Sequence, residues 1–192
     1  SLPLYTRATG IFTYAQAADQ KGMANLVTLV ADKSVREFAL RAMADRKTKS
    51  KLIPLAPYLN GLNDPSPRVQ VASAIGLGRL GRKEAIPALL QVKVPSSFVA
   101  PPKDKEGPHA KPNSAIIPSH VAVQALRSLD AKKGSIAALA TKNSTIALWA
   151  MRYMHDPAVV KALLSTYKKS TQPKLKSQIL ETVARLYKKE NF

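Results

Sequence analysis

Cysteine is absent from this chain of 192 residues, and acidic residues number only 12. The chain therefore has no disulfide, no thiol nucleophile and no cysteine-ligated metal. No two carboxylates stand at a spacing that suggests acid/base catalysis, and no GxSxG, P-loop or GxGxxG motif occurs. These absences predict a protein that is not an enzyme and that carries no cofactor. A DNA-glycosylase-like or lyase-like activity is the lesser alternative.

Long hydrophobic runs and clustered metal ligands are missing as well. No stretch approaches the roughly 18 consecutive apolar residues of a membrane-spanning helix, so no span is expected. The three histidines, His109, His120 and His155, have no second ligand three or four residues away, which predicts no metal site. Trp149 with Asp156 is a weakly supported pair for glycosylase chemistry, and Trp149 with Tyr153 could stack on bases or pack in the core.

Positive charge is what the chain has in excess. It carries 30 Lys and Arg, a formal net charge of +18 and a pI of about 10.3. Such a balance makes polyanions the first partners to consider, namely nucleic acid, an anionic membrane surface or an acidic protein. Lysines outnumber arginines by 20 to 10, which is typical of a solvated surface rather than of bidentate phosphate readout.

The clearest pattern is a helical repeat in residues 64–90. An apolar stripe at helical spacing predicts a first helix that Gly81 ends in a left-handed conformation. Asp64 is the expected N-cap, with Pro65 in the first turn. A second short helix follows over 83–92. The buried face of the first helix is expected to consist of Val69, Ser73, Gly76, Leu77 and Leu80.

The same stripe recurs along the whole chain, with starts at residues 4, 35, 69, 121, 146 and 175. One of these copies is Val121, Ala125, Ser128 and Leu129. The predicted second helices cover 22–31, 52–62, 83–92, 133–141 and 157–168. Each pair buries its stripe only against its neighbours, so the units should stack. We expect an all-α fold, an α-α superhelix of about five to six helix pairs, in a single domain over 1–192.

One interval is too long for a repeat, and it holds a proline-rich insertion at 93–118. This segment contains six of the 14 prolines, and proline both lacks a backbone donor and blocks helix continuation. An irregular loop is therefore predicted. Loops of this length are usually functional or disordered, so the segment is interpreted either as a partner-contact loop or as a tolerated insertion.

Two groups of basic residues are candidates for partner or anion binding. Three arginines occupy the same place in their repeats and should line up along one ridge that could meet phosphates. Alternatively, each could pair locally with Asp45, Asp130 or Asp156 on its own helix, which is the interpretation we favour. The second group is the basic C-terminal part. The candidate residues are Arg41, Arg127, Arg152, Lys161, Lys168, Lys169, Lys174 and Lys176.

The string from Asp64 to Leu90 resembles the HEAT repeat of the short bacterial type, which also occurs in phycobilin-lyase-like proteins. It departs from that pattern at Gln70, where the family has Arg, and at Arg82, where it usually has Asp. The resemblance implies a HEAT-like solenoid. A phycobilin-lyase-like chromophore handler is a third functional reading, which the absence of cysteine disfavours.

The stretch from Pro118 to Lys161 is also similar to the HEAT segment of large exported bacterial proteins, which carry sugar-dehydrogenase-like and c-type haem domains. The chain has no Cys-x-x-Cys-His haem motif, so neither activity transfers to a residue here. It begins at Ser1, without Met. This start predicts a processed product or an excised piece, and the resemblance implies a module of a larger, extracytoplasmic protein.

Together these patterns predict a non-catalytic interaction or scaffold module, whose partner is a protein or an adjacent domain. Nucleic-acid binding through the basic surface is the alternative.

Overall fold

The computed structural model describes residues 2–45, 51–95 and 114–187. All regular secondary structure within these ranges is helical, which confirms the predicted all-α class. The α-helices are α1 (Leu4–Ala17), α2 (Gln20–Thr28), α3 (Arg36–Met43), α4 (Ala56–Gly61), α5 (Pro67–Leu80), α6 (Ile86–Leu89), α7 (Ile117–Ser128), α8 (Lys132–Ala138), α9 (Ser144–Met151), α10 (Pro157–Lys169) and α11 (Pro173–Arg185). Short 3-10 helices at Leu29–Ala31, Lys83–Ala85 and Ser114–Ile116 extend α2 and precede α6 and α7.

Odd-numbered helices form one layer, in which each contacts the next from α1 through to α11. We call this the first-helix layer. Every even-numbered helix packs against the odd-numbered helix that follows it. Buried apolar side chains from both sets form one contiguous cluster. This arrangement is the predicted α-solenoid, with five helix pairs and the first helix of a sixth.

Helix α5 shows how the repeat sequence produces the fold. All five residues of its predicted stripe are buried, and Gly81 ends the helix with a φ of 68°. The start of the helix differs from the prediction, because the N-cap is Ser66 and the proline at the first helical position is Pro67. Asp64 instead closes the preceding turn, where Oδ1 accepts the Ser66 N–H at 2.8 Å.

Helix α7 is rotated relative to its predicted stripe. Ser128 is exposed and Val121 is half-buried, whereas Ala122, Val123 and Leu126 are fully buried. The helix packs on α5, α6 and α9, so these three helices bury a wider face of α7 than the predicted stripe. It also begins at Ile117, inside the insertion predicted for 93–118. Residues 93–95 have no regular structure, and residues 96–113 of that loop lie outside the described part of the chain.

A buried tyrosine of α4 contacts both α3 and α5 in the first repeats. Tyr58 of α4 is fully buried, and its hydroxyl donates to the Leu40 carbonyl of α3 at 2.9 Å. Its ring lies against Gly76 of α5, where an added methyl group would overlap it. Burial raises the pKa of the Tyr58 hydroxyl well above its ordinary value, which keeps that group a donor.

Arg36, at the start of α3, binds both the end of the preceding repeat and the turn before the following one. Its Nε donates to the Val30 carbonyl at 2.6 Å, and its Nη1 lies 2.5 Å from Asp64 Oδ2. The exposed fractions of the two side chains are only 22% and 9%. The ion pair is therefore largely shielded from solvent.

Replacing Arg36 with Ala is expected to lower the free energy of unfolding by about 1–2 kcal/mol, because the half-buried Asp64 carboxylate and the Val30 carbonyl would lose a charged donor. Arg68→Ala is the matched control, since Arg68 binds Glu37 with 71% of its side chain exposed and such pairs contribute about 0–1 kcal/mol. Urea denaturation followed by circular dichroism measures both. Equal losses would contradict the assigned role of Arg36.

Candidate functional site

Five arginines stand at the ends of five successive helices of the first-helix layer. Four of them lie in the last helical turn of their helix, and Arg152 is the C-cap of α9. Because neighbouring packed helices lie about 8–10 Å apart, the five arginines follow one another across the layer at about that spacing. We call this set the arginine row, and it consists of Arg41, Arg79, Arg127, Arg152 and Arg185.

Sequence analysis found three members of the row through their position after a small residue. It missed Arg79 and Arg185 in this role. Both lie further from the start of the stripe than the other three because α5 and α11 run 14 and 13 residues. Counting backwards from each helix end would have found them.

The local ion pairs favoured for these arginines do not form, so that interpretation is wrong. Asp45 instead contacts Arg79 of the next first helix at 3.4 Å. Asp130 and Asp156 both face Lys132, at 3.4 and 2.8 Å. Stacking of the repeats places Asp45 and Asp156 beside neighbouring units, whereas Asp130 pairs with a lysine two residues away.

Carboxylates balance the arginine row only in part. Glu37 lies 3.4 Å from Arg41, and Glu181 lies 3.4 Å from Arg152. Among the described residues, no carboxylate forms an ion pair with Arg127 or Arg185.

The Arg152 guanidinium has the least favourable surroundings of the row. Burial lowers its pKa from the ordinary value, and the nearby Arg185 charge acts in the same direction. Its Nε is buried and finds no hydrogen-bond partner within the described ranges. The group stays charged, as arginine does in proteins, and among the described residues Glu181 is the carboxylate that pairs with it at this end of the row.

Two grooves run beside the row, and they share Ile75 and Arg79. The first, between α5 and α7, has a volume of about 530 Å³, with Gly78, Val121 and Gln124 among its lining residues. The second, of about 240 Å³, lies against α3 and α5. It also includes Phe12 of α1. Because Ile75 and Arg79 line both grooves, the two grooves adjoin, and we call the pair the apolar channel; Arg41 and Arg79 of the row border it.

Close packing explains why the α5–α7 groove exists. A Cβ at Gly78 would lie 3.2 Å from the Ala125 Cα, so the two helices approach closely at that point. Neither residue offers a large side chain to fill the outer surface there. The rotation of α7 leaves Val121 and Ser128 on the groove wall rather than in the core. The groove could not be predicted from the sequence because it depends on the contact between α5 and α7, which neither helix reveals alone.

The predicted lysine candidates lie elsewhere. Lys161, Lys168 and Lys169 are on α10, while Lys174 and Lys176 are in the first turn of α11. All are exposed except Lys176, whose ammonium lies 4.9 Å from the centroid of the Tyr167 ring. The rise of an α-helix separates the start of α11 from Arg185 by about 16 Å, so the lysine cluster and the arginine row are at opposite ends of that helix.

The aromatic candidates are partly used by the fold. Trp149 is half-buried against the core, and its ring centroid lies 5.8 Å from that of His120. Asp156 accepts the Ala158 N–H at 2.8 Å and caps α10. The hydrogen bond from Lys132, together with that N–H, lowers the pKa of the Asp156 carboxyl. Trp149 and Asp156, the pair considered for glycosylase chemistry, thus both have structural roles.

His155 is exposed, and His109 lies outside the described residues. Within the described ranges, no three His, Cys, Asp or Glu side chains are grouped so that they could hold a metal ion. No helix of that part of the chain has the length and apolar character needed to cross a membrane.

Comparison with known proteins supports the fold. The model of the PBS lyase HEAT-like repeat matches residues 69–94, which span α5 and α6. The chain is similar to the solved complex of CpcE and CpcF of phycocyanin lyase from Nostoc sp. PCC7120, with a TM-score of 0.54 and 19% identity. The match covers 95% of this chain and 72% of that one. No curated protein matches. The molecule is a HEAT-like α-solenoid.

These comparisons also correct one expectation. The absence of catalytic motifs predicted a protein that is not an enzyme, yet the matching family model and the similar structure are both lyase-related. That prediction is contradicted. The physical reason is that a solenoid face combines side chains from different repeats, so motifs with local spacing say little about its chemistry. No comparison supports the nucleic-acid alternative.

Proposed function

We propose that this chain is a lyase-related solenoid module that holds a protein partner on its first-helix layer. The observation that carries the proposal is the pair of adjoining grooves beside Arg41 and Arg79 of the arginine row. Protein interfaces combine an apolar centre with a polar rim in which arginine is common, and the channel has that composition. The similar solved structure is described as a complex of two proteins, CpcE and CpcF, which supports a partner-binding role for this fold.

The proposal is tested by isolating the tagged chain from its source cells after cross-linking and nuclease treatment. We expect one protein to co-purify at a fixed ratio. Ile75→Glu places a charge in the shared part of both grooves and should abolish the co-purification of that protein. Leu164→Glu is the control, since Leu164 lies on α10 with 39% exposure and lines neither groove.

The captured protein is then identified by mass spectrometry, purified separately and titrated against the three forms of the chain. Loss of binding with Ile75→Glu alone supports the proposal, provided that circular dichroism shows a folded variant. Absence of any protein, or equal loss with both variants, would contradict it. Capture that nuclease abolishes would favour the nucleic-acid alternative instead.

A further inference from the structure

We infer that the partner presents an acidic α-helix, which lies across the first-helix layer with carboxylates about seven residues apart facing the arginine row. This inference rests on the proposed function, because it names the chemistry of the segment that the channel receives.

The choice of arginine at the helix ends is the first argument. A cation in the last turn compensates the helix dipole, and lysine would do so equally well. The chain has twice as many lysines as arginines, yet all five odd-numbered helices from α3 to α11 end in arginine, which uses half of its arginines. The planar guanidinium fork binds a carboxylate through two parallel hydrogen bonds, which an ammonium group cannot do.

Incomplete charge balance is the second argument. Two members of the row, Arg127 and Arg185, have no ion-pair partner in the described part of the chain. The other three contact carboxylates at 3.4 Å, which leaves room for a second acceptor. The row therefore presents donors to an external anion.

Spacing identifies the anion-bearing element. Adjacent first helices are separated by about 8–10 Å, and seven residues of an α-helix rise about 10.5 Å. A partner helix with Glu or Asp at every seventh position would therefore present one carboxylate to each arginine in turn. Presenting five carboxylates at this spacing needs a helix of about 29 residues.

The apolar channel distinguishes this partner from nucleic acid. Ile75, Val121 and Phe12 line the grooves beside Arg41 and Arg79, and the apolar side chains of an amphipathic helix would fill them. A phosphate backbone offers no group of that kind, and the contacts it makes are mainly to charged and polar donors. Guanidinium groups next to an apolar lining fit a protein helix better.

The inference is tested with a fluorescently labelled helical peptide of about 29 residues. It carries Glu at heptad spacing and Leu at flanking positions. A second peptide has the same composition in scrambled order. Binding is followed by fluorescence anisotropy. We expect the patterned peptide to bind at least about tenfold more tightly than the scrambled one, and binding should weaken as salt rises.

Matched charge reversals locate the surface. Arg127→Glu with Arg185→Glu should weaken peptide binding by about tenfold or more. Lys168→Glu with Lys169→Glu changes the net charge equally, also in the last turn of a helix, and should leave binding unchanged. Replacing Arg127 and Arg185 with Lys keeps the charge and tests the bidentate geometry, for which an intermediate loss is expected.

Equal effects of the arginine and lysine reversals would overturn the inference, as would equal binding of the two peptides. A DNA duplex that binds more tightly than the patterned peptide, and loses affinity with the arginine reversal, would also overturn it. These failures are separable from failure of the proposed function. If the partner captured from cells is lost with Ile75→Glu but kept with the arginine reversal, only the acidic-helix inference is wrong.

Discussion

Replacing Tyr58 with Ala is expected to lower the free energy of unfolding by about 3–5 kcal/mol, the usual cost of deleting a buried aromatic side chain. The side chain is fully buried and contacts both α3 and α5. Its removal leaves a cavity at the junction of the first repeats. Because each repeat is supported only by its neighbours, damage there uncouples the first two units from the rest.

The hydroxyl contributes a smaller and separable part. Tyr58→Phe keeps the ring but removes the donor to the Leu40 carbonyl, for which we expect a loss of about 1–2 kcal/mol. Tyr5→Ala is the control, since Tyr5 is 75% exposed and surface changes are usually within about 0.5 kcal/mol. Urea denaturation of the three variants measures these differences. If the Phe and Ala variants lost equal stability, the packing role of the ring would be refuted.

Gly76→Ala is expected to cost about 2–3 kcal/mol although alanine is the better helix former. The added methyl group would overlap the Tyr58 ring, and overpacking of this kind typically costs about 1–3 kcal/mol. Gly10→Ala is the matched control. Gly10 also lies within a helix, but a methyl group there meets nothing within 4 Å. That change should stabilise the protein by about 0.5–1 kcal/mol.

A double-variant cycle identifies the cause of the Gly76 effect. In a Tyr58→Leu background the ring is gone, so Gly76→Ala should cost less than in the wild-type chain. The difference should be at least about 0.5 kcal/mol, as found for residues in direct contact. Thermal and urea unfolding of the four proteins supply the numbers. Additive effects would mean that Gly76 is required for another reason.

Helix existence could be predicted well from the sequence, and helix orientation less well. The stripe of α5, its end at Gly81 and the second helix over 157–168 all agree with the observed elements, because periodicity and turn chemistry are local properties. The buried face of α7 was misassigned because three neighbours cover it. Asp64 was taken for a cap, but its second oxygen binds Arg36, which is 28 residues away.

The candidate site was predictable only in part. Arg41, Arg127 and Arg152 stood out by their equivalent places, but Arg79 required knowledge of where α5 ends. Asp45 was the predicted ion-pair partner of Arg41, but it lies beside Arg79. Ion pairs between repeats depend on how far neighbouring helices are offset, and no spacing within one helix encodes that offset.

The sequence by itself determined the repeat, the all-helical solenoid and the large excess of positive charge, since each follows from local periodicity or composition. Only the tertiary structure decided which charges are compensated and which small residues open a groove. Both depend on side chains from different repeats, which meet only after the helices have packed. The arginine row and its apolar channel therefore belong to the stacked solenoid and to no single repeat.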